Sequence, residues 1–430
     1  MRADGRAGKR CQDADRTMMI GCMSIPYARS DAGMTGRGLV LLLGAIMAFG
    51  PLSIDMYLPA MPALASAFHA GEAQVQLTLS AYLVGLAIGQ LLYGPIADRF
   101  GRRRPLIFGI TVFVMASAGC ALAGSIEQLI ALRVLQALGG AAGMVMVRAV
   151  VRDLFDASGA ARIYSTLMLI MGVAPILAPA LGGQILIWLD WRWIFGLLAL
   201  LGAGCLLAVT LRLPETLPAV VMAQNRAQPI RAVMADYGEV LRTRQFLAYA
   251  LTGGSSLAAL FAYISGSPFV LIELLGVSPG LYGILFGANA AAFILGSQVN
   301  ARLLRRAAPA RILPWTVGAF CAATLLLLVV VATPLFGVLS FMIAMGLVLF
   351  AVGCSLANTT ALALHPFWRQ AGSASAMLGT IQLGTGALTG VIVGVSYNGS
   401  AVPLALVVLG CGVAASIALR AALRSPADNP

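Results

Sequence analysis

Two side chains in this sequence carry charge where a charge is expensive. Arg133 lies inside the apolar run Leu129 to Val147, and Asp55 lies inside an earlier one. An ionised group at the centre of such a run costs about 2.5–3.5 kcal/mol to insert into a bilayer. Charges kept against that penalty face a water-filled path or each other. One acid and one base at similar depth could do proton chemistry: the carboxyl takes up a proton, and the guanidinium promotes its departure when near and permits its return when distant. A static buried ion pair joining two helices is the other reading.

The elements that must position these groups are membrane spans. The chain has 430 residues, 60% hydrophobic and 10% charged, whereas a soluble domain carries about 25% charged residues. A helix needs about 20 mostly apolar residues to cross the hydrocarbon core. On that basis spans are expected near 38–60, 75–96, 105–124, 127–148, 163–187, 192–211, 245–268, 280–302, 312–331, 335–358, 372–395 and 401–420. Asp55 then lies about 8 Å below the outer end of its span, and Arg133 about 9 Å below the same surface.

Of the 28 basic residues, 26 fall on one side of this arrangement, counting both termini; Arg192 is opposite, and Arg133 is within a span. The positive-inside rule places that side, and both termini, in the cytoplasm. The formal charge of +12 is thus a membrane face beside anionic lipid and needs no nucleic acid. The expected organisation is a polar tail (1–36), a six-helix bundle (37–210), a cytoplasmic linker (211–244), a second six-helix bundle (245–420) and a short tail (421–430). Translation starts either at Met1 or later, for instance at Met34. A weak repeat relates the halves: Gly94-x-x-x-Asp98 followed by Arg103 and Arg104 matches Gly296-x-x-x-Asn300 followed by Arg305 and Arg306, at a constant offset of 202 residues.

Other chemistry is poorly provided for. His69 and His365 both fall in expected loops, no two of the seven cysteines are spaced as CxxC, and no Gly-x4-Gly-Lys-Ser/Thr motif occurs. No metal site, cofactor or nucleotide is therefore expected. Polar and aromatic residues within spans are Tyr82, Gln90, Gln136, Tyr263, Asn289, Gln298, Asn358 and Gln382. Polar groups are costly in hydrocarbon, so these are expected to face inward, lining a substrate cavity or bonding helix to helix.

Gly85-x8-Gly94-Pro-Ile-Ala-Asp98-Arg99-Phe-Gly101-Arg102-Arg103 resembles the loop 2–3 signature of the major facilitator superfamily. Arg133-Val-Leu-Gln136, followed by Gly139 and Gly140, is similar to the span-four signature of proton-coupled members, with Ala137 where Gly is common. Gly172-Val-Ala-Pro175-Ile-Leu-Ala-Pro179-Ala-Leu-Gly182-Gly183 resembles the span-five antiporter signature, with Ala178 replacing a usual Gly. Ser53-Ile-Asp55-Met-Tyr-Leu-Pro59 and Phe261-Ala-Tyr-Ile-Ser-Gly-Ser-Pro268 look like the Bcr/CflA drug-resistance branch.

The resemblance spans roughly 37–420. It implies an all-α major facilitator fold of twelve helices and proton-driven export of bicyclomycin- or amphenicol-like drugs across the bacterial inner membrane. It assigns proton coupling to Asp55 and Arg133. It makes the Asp98 loop a cytoplasmic latch, with Asp98 capping a neighbouring helix and Asp153 as a partner. It makes the span-five run a seal against leak. The implied partners are a small-molecule drug, protons and the lipid bilayer, with the chain acting as a monomer. A transporter of a natural metabolite, a membrane-embedded enzyme and a passive channel are the rival readings.

Overall fold

The computed structural model describes residues 36–227, 230–367 and 370–424, and among them it is helical throughout, with no strand. The expected tail before residue 36 lies outside the described residues, as does the end of the chain beyond Arg424.

The first span is broken. It comprises α1 (Gly36–Met47), α2 (Phe49–Asp55), a 3-10 turn (Leu58–Ala60) and α3 (Met61–Phe68), with a bend of 41° after Met47. Proline explains both breaks. Pro51 and Pro59 have no N–H for the carbonyl four residues back, and those carbonyls belong to Met47 and Asp55, where α1 and α2 end. The sequence reading took 38–60 as one continuous span; the helical path instead continues to Phe68, where His69 closes it in a left-handed conformation (φ 49°).

Seven helices follow: α4 (Glu72–Phe100), α5 (Arg103–Ala121), α6 (Ile126–Leu154), α7 (Ala157–Trp188), α8 (Arg192–Arg212), α9 (Ala219–Ala227) and α10 (Ile230–Arg242). Then come α11 (Arg244–Pro268) with a π-helical turn (Phe269–Leu274), α12 (Pro279–Leu303), α13 (Pro309–Val331), α14 (Val338–Leu364), α15 (Ala371–Ser396) and α16 (Val402–Arg424). Among the described residues eleven helices are long and apolar enough to cross a membrane, and the bent first pair makes twelve. Side-chain caps begin several of them: Ser125 accepts from Gln128 N, Asp156 from Gly159 N and Ser278 from Leu281 N, each meeting one of the otherwise orphaned first-turn donors.

The spans form two bundles. In the first, α4 and α5 pack on α6, and α8 packs on α5; in the second, α11 packs on α14, α15 and α16, while α13 and α12 pack on α14. Two seams join the bundles, α4 against α15 and α7 against α12. The linker holds α9 and α10, which the sequence reading left as polar chain. They strap the arginine-rich face. Asn225 and Arg226 donate to the carbonyls of Asp98 and Arg99 at 3.2 and 2.9 Å. Tyr237 donates to the Leu91 carbonyl at 3.1 Å, and Gln370 donates to Glu239 at 2.8 Å.

Candidate functional site

Small residues bring the helices around Arg133 close. A Cβ on Gly139 would stand 2.4 Å from Phe113 N and 2.6 Å from the Gly109 carbonyl, and one on Gly85 would stand 2.6 Å from the Val134 carbonyl. Backbones this near leave no room for side chains, so α4, α5 and α6 hold the polar groups between them at fixed separations. Arg133 is fully buried there. Its Nη1 donates to the Ser53 carbonyl at 3.0 Å and to Gln136 Oε1 at 2.7 Å. Gln136 Nε2 in turn donates to Ser117 Oγ at 2.8 Å, and Ser117 Oγ donates to the Phe113 carbonyl at 2.6 Å.

The guanidinium has aromatic neighbours where the sequence reading put a carboxylate. Its carbon lies 4.2 Å from the Tyr82 ring centroid, 4.8 Å from that of Tyr57 and 5.8 Å from that of Phe195. Two charge-assisted hydrogen bonds contribute about 1.5–3 kcal/mol each, and desolvated cation–π contacts about 2 kcal/mol. Together these outweigh the insertion penalty without a counter-ion. Nε and Nη2 keep no hydrogen-bond partner. Tyr57 is fixed by donating to Thr78 Oγ1 at 2.5 Å, because the Thr78 proton already goes to the Val75 carbonyl.

Asp55 is 4% exposed. Among the described residues no hydrogen bond or ion pair reaches its carboxyl, so the static Asp55–Arg133 pair is not formed. The two residues are linked only through the backbone: Arg133 holds the carbonyl of Ser53, two residues before Asp55. Tyr82 lies within electrostatic reach of both, and Tyr282, from the second bundle, within reach of Asp55. Tyr282 shares a 3.0 Å hydrogen bond with Ser267 and packs on Phe286, which stacks on Tyr263 with centroids 5.3 Å apart. Tyr263, Phe286 and Tyr282 thus form an aromatic shelf in the second bundle.

The remaining cavity candidates divide. Tyr82, Gln136 and Asn358 are fully buried; Gln136 is engaged in the relay above and Asn358 donates to Asn300 Oδ1 at 2.8 Å, while the Tyr82 ring lies under Arg133 and its Oη has no partner. For Gln136 and Asn358 the bonds run from helix to helix, one of the two roles expected of them. Tyr263 Oη and Gln382 Nε2 have no partner, and Asn289 reaches only the Met342 sulfur at 3.6 Å. Gln298 is exposed, and Gln90 lies against Gly379 on the α4–α15 seam.

At the arginine-rich face Asp98 and Arg102 pair at 2.8 Å, and Arg102 pairs with Asp153 at 2.9 Å. Burial disfavours the Arg102 cation, but the two carboxylates outweigh it and its pKa is raised. Arg103 donates to the Thr210 carbonyl at 2.6 Å, and Arg99 contributes its carbonyl to Arg226. Asp98 does not cap the next helix. It lies one turn before Arg102 and turns toward it, while Glu215 takes the amides at the start of α5, from Arg102 at 2.7 Å and Arg103 at 3.1 Å. Gly101 has φ 87°, and a Cβ there would stand 2.3 Å from Glu215. Gly94 meets open space instead. The sequence reading missed Glu215, whose signal is an acid after Pro214 where α8 ends.

The span-five residues lie on the seam. A Cβ on Gly182 would collide with the Met56 carbonyl, and one on Gly183 would stand 2.6 Å from that of Pro279. Gly172 faces Ile294 at 3.6 Å. Pro175 and Pro179 are inside α7. Gly283, which sequence reasoning also missed, brings α12 within 2.6 Å of Ala180 Cα by the same measure.

The family model of the Major Facilitator Superfamily matches residues 41–390. The chain is 38% identical over 391 residues to a protein of Bacillus subtilis described as an uncharacterized MFS-type transporter, YdgK, covering 90% of this chain and 95% of that one. It is 32% identical to a chloramphenicol resistance protein of Pseudomonas aeruginosa (80% and 82% covered). A bicyclomycin resistance protein homolog of Haemophilus influenzae is 27% identical (88% and 94% covered). In fold the chain resembles the nucleoside transporter NupG, at a TM-score of 0.69 and 14% identity (90% and 100% covered). It also resembles the Escherichia coli xylose transporter XylE, at 0.68 and 14% identity (88% and 95% covered).

Proposed function

Since the chain belongs to the major facilitator superfamily, within its drug-resistance branch, and is a transporter, not an enzyme, we propose that it exports small amphipathic drugs in exchange for protons. The observation that carries this reading is Asp55, a buried carboxyl without a protein partner among the described residues, two residues from the carbonyl that Arg133 holds. A carboxyl held in that way is free to bind a proton or the polar end of a ligand. Arg133, held by aromatic rings and the Ser53 carbonyl, acts as a fixed positive charge in the same bundle, and rocking of the bundles changes which side of the membrane reaches the carboxyl. The shelf of Tyr263, Phe286 and Tyr282, with the unmet polar groups of Tyr263 and Gln382, suits a ring-bearing compound with few polar groups. The aromatic ring of an amphenicol-like molecule fits this shelf.

The skew of 26 of 28 basic residues to one face supports a bacterial inner-membrane protein with that face, and both termini, in the cytoplasm. There the Asp98–Arg102–Asp153 chain acts as the latch, and the α7–α12 seam as the seal. The test is drug susceptibility of an efflux-deficient bacterium expressing this chain or its Asp55→Asn variant. Resistance is expected from the first and not from the second; equal resistance would remove the carboxyl from the mechanism.

A further inference from the structure

Helices α4 and α5 both pack along α6 but touch each other little. Glycines explain this: a Cβ on Gly89 would meet Ala141, and one on Gly109 would meet Ala142, so each helix is drawn onto α6 and not onto its neighbour. A groove of about 440 Å³ is left between them. Leu92, Ile96 and Phe100 of α4 form one wall, Phe108 of α5 the other, and Leu138 of α6 the floor. Leu92, Phe100 and Phe108 are at least half exposed. The seam with α15 uses the opposite face of α4, at Ala73, Ala87 and Gln90. The groove therefore opens sideways, onto lipid, and not into the space between the bundles.

One end of it is charged. Arg104 lines the groove at the arginine-rich face. It is exposed and has no ion-pair partner among the described residues. Arg226 holds its guanidinium carbon 5.9 Å from the centroid of the Phe100 ring. The carboxylates of that corner are committed, Asp98 and Asp153 to Arg102 and Glu215 to backbone amides. The mouth is thus positive and the bore apolar.

We propose that this groove binds one acyl chain of an anionic phospholipid, with the phosphate against Arg104. From Phe100 to Leu92 the wall runs ~12 Å along the helix axis. A partner helix, ~10 Å across, would need about twice the groove's volume over that length, so a chain of methylenes fits where a helix does not. Charge selects the headgroup. Each arginine near a membrane surface favours an anionic lipid by about fivefold, whereas a zwitterionic head brings its own cation to the same arginines.

Photolabelling locates the chain directly. Phosphatidylglycerol with a diazirine midway along one acyl chain is photolysed with the protein in phosphatidylcholine nanodiscs. The matching phosphatidylcholine probe is run at equal mole fraction, and adducts are mapped by peptide mass spectrometry. The anionic probe should label the segments holding Leu92–Phe100 and Phe108 at least about fivefold more than the zwitterionic one, and unlabelled phosphatidylglycerol should displace it. Ile96→Trp, which fills the groove from its wall, should abolish that labelling. Leu200→Trp, exposed on α8, should leave it unchanged. Arg104→Gln together with Arg226→Gln should bring the two probes to equality. Labelling spread evenly over the lipid-facing helices, equal labelling of the parent by both probes, or labelling indifferent to Ile96→Trp would overturn the site. Displacement by an amphenicol and not by unlabelled lipid would give the groove to drug and overturn it equally.

Discussion

At the residue scale the account turns on how two charges are kept in an apolar interior by different means. Arg133 is stabilised by Ser53, Gln136 and three aromatic rings, and it stays a cation. Asp55 has no such support, which makes its charge conditional on a ligand, water or a proton. The sequence shows that both are present and roughly how deep they lie. It does not show the ring cage, because Tyr57, Tyr82 and Phe195 come from three separate spans and read singly as ordinary core. Glu215 was illegible for a similar reason: its partners are backbone amides more than a hundred residues away. Gly101 gives a direct test of that arrangement. Its backbone (φ 87°, ψ −178°) lies in a region essentially restricted to glycine, at a penalty of about 1–3 kcal/mol for other residues. Gly101→Ala should therefore lower the thermal stability of the purified protein by at least that much, since the new methyl also displaces Glu215. Unchanged unfolding in detergent would contradict the assignment.

At the element scale, proline and glycine decide where helices break and where they touch. Pro51 and Pro59 end α1 and α2 and so put Asp55 at a helix terminus. A hydropathy scan passes over that break because the run around it is apolar apart from Ser53 and Asp55. The linker helices were hidden in a different way: they are short and largely polar, and they are held by contacts with α4 and α15, which lie far from them in sequence. The α7–α12 seam needs glycine on both sides. Gly283→Val would force the seam apart, at about 1–3 kcal/mol of overpacking. The outcome expected is a more open mouth opposite the arginine-rich face, read as faster labelling of Ser265→Cys by a membrane-impermeant thiol reagent in a cysteine-free background. Equal labelling rates would show that the seam does not govern closure.

At the scale of the whole molecule, two bundles meet along two seams, and the arginine-rich face is strapped by the linker. The twelve spans and their charge skew were legible because hydropathy and the positive-inside rule act along the chain; how the bundles meet is set by side-chain shape across it. Reporter fusions test the orientation: a carboxyl-terminal fluorescent protein should fold and emit, while alkaline phosphatase in the same place should be inactive. The reverse pattern would invert every statement about cytoplasmic and outer faces. The most direct measurement concerns Asp55. In proteoliposomes with an imposed pH gradient, the parent chain should accumulate an amphenicol against its concentration gradient. Asp55→Asn should lose that accumulation by tenfold or more while still exchanging labelled for unlabelled drug when no gradient is present. Gradient-driven accumulation by Asp55→Asn equal to the parent's would contradict the account.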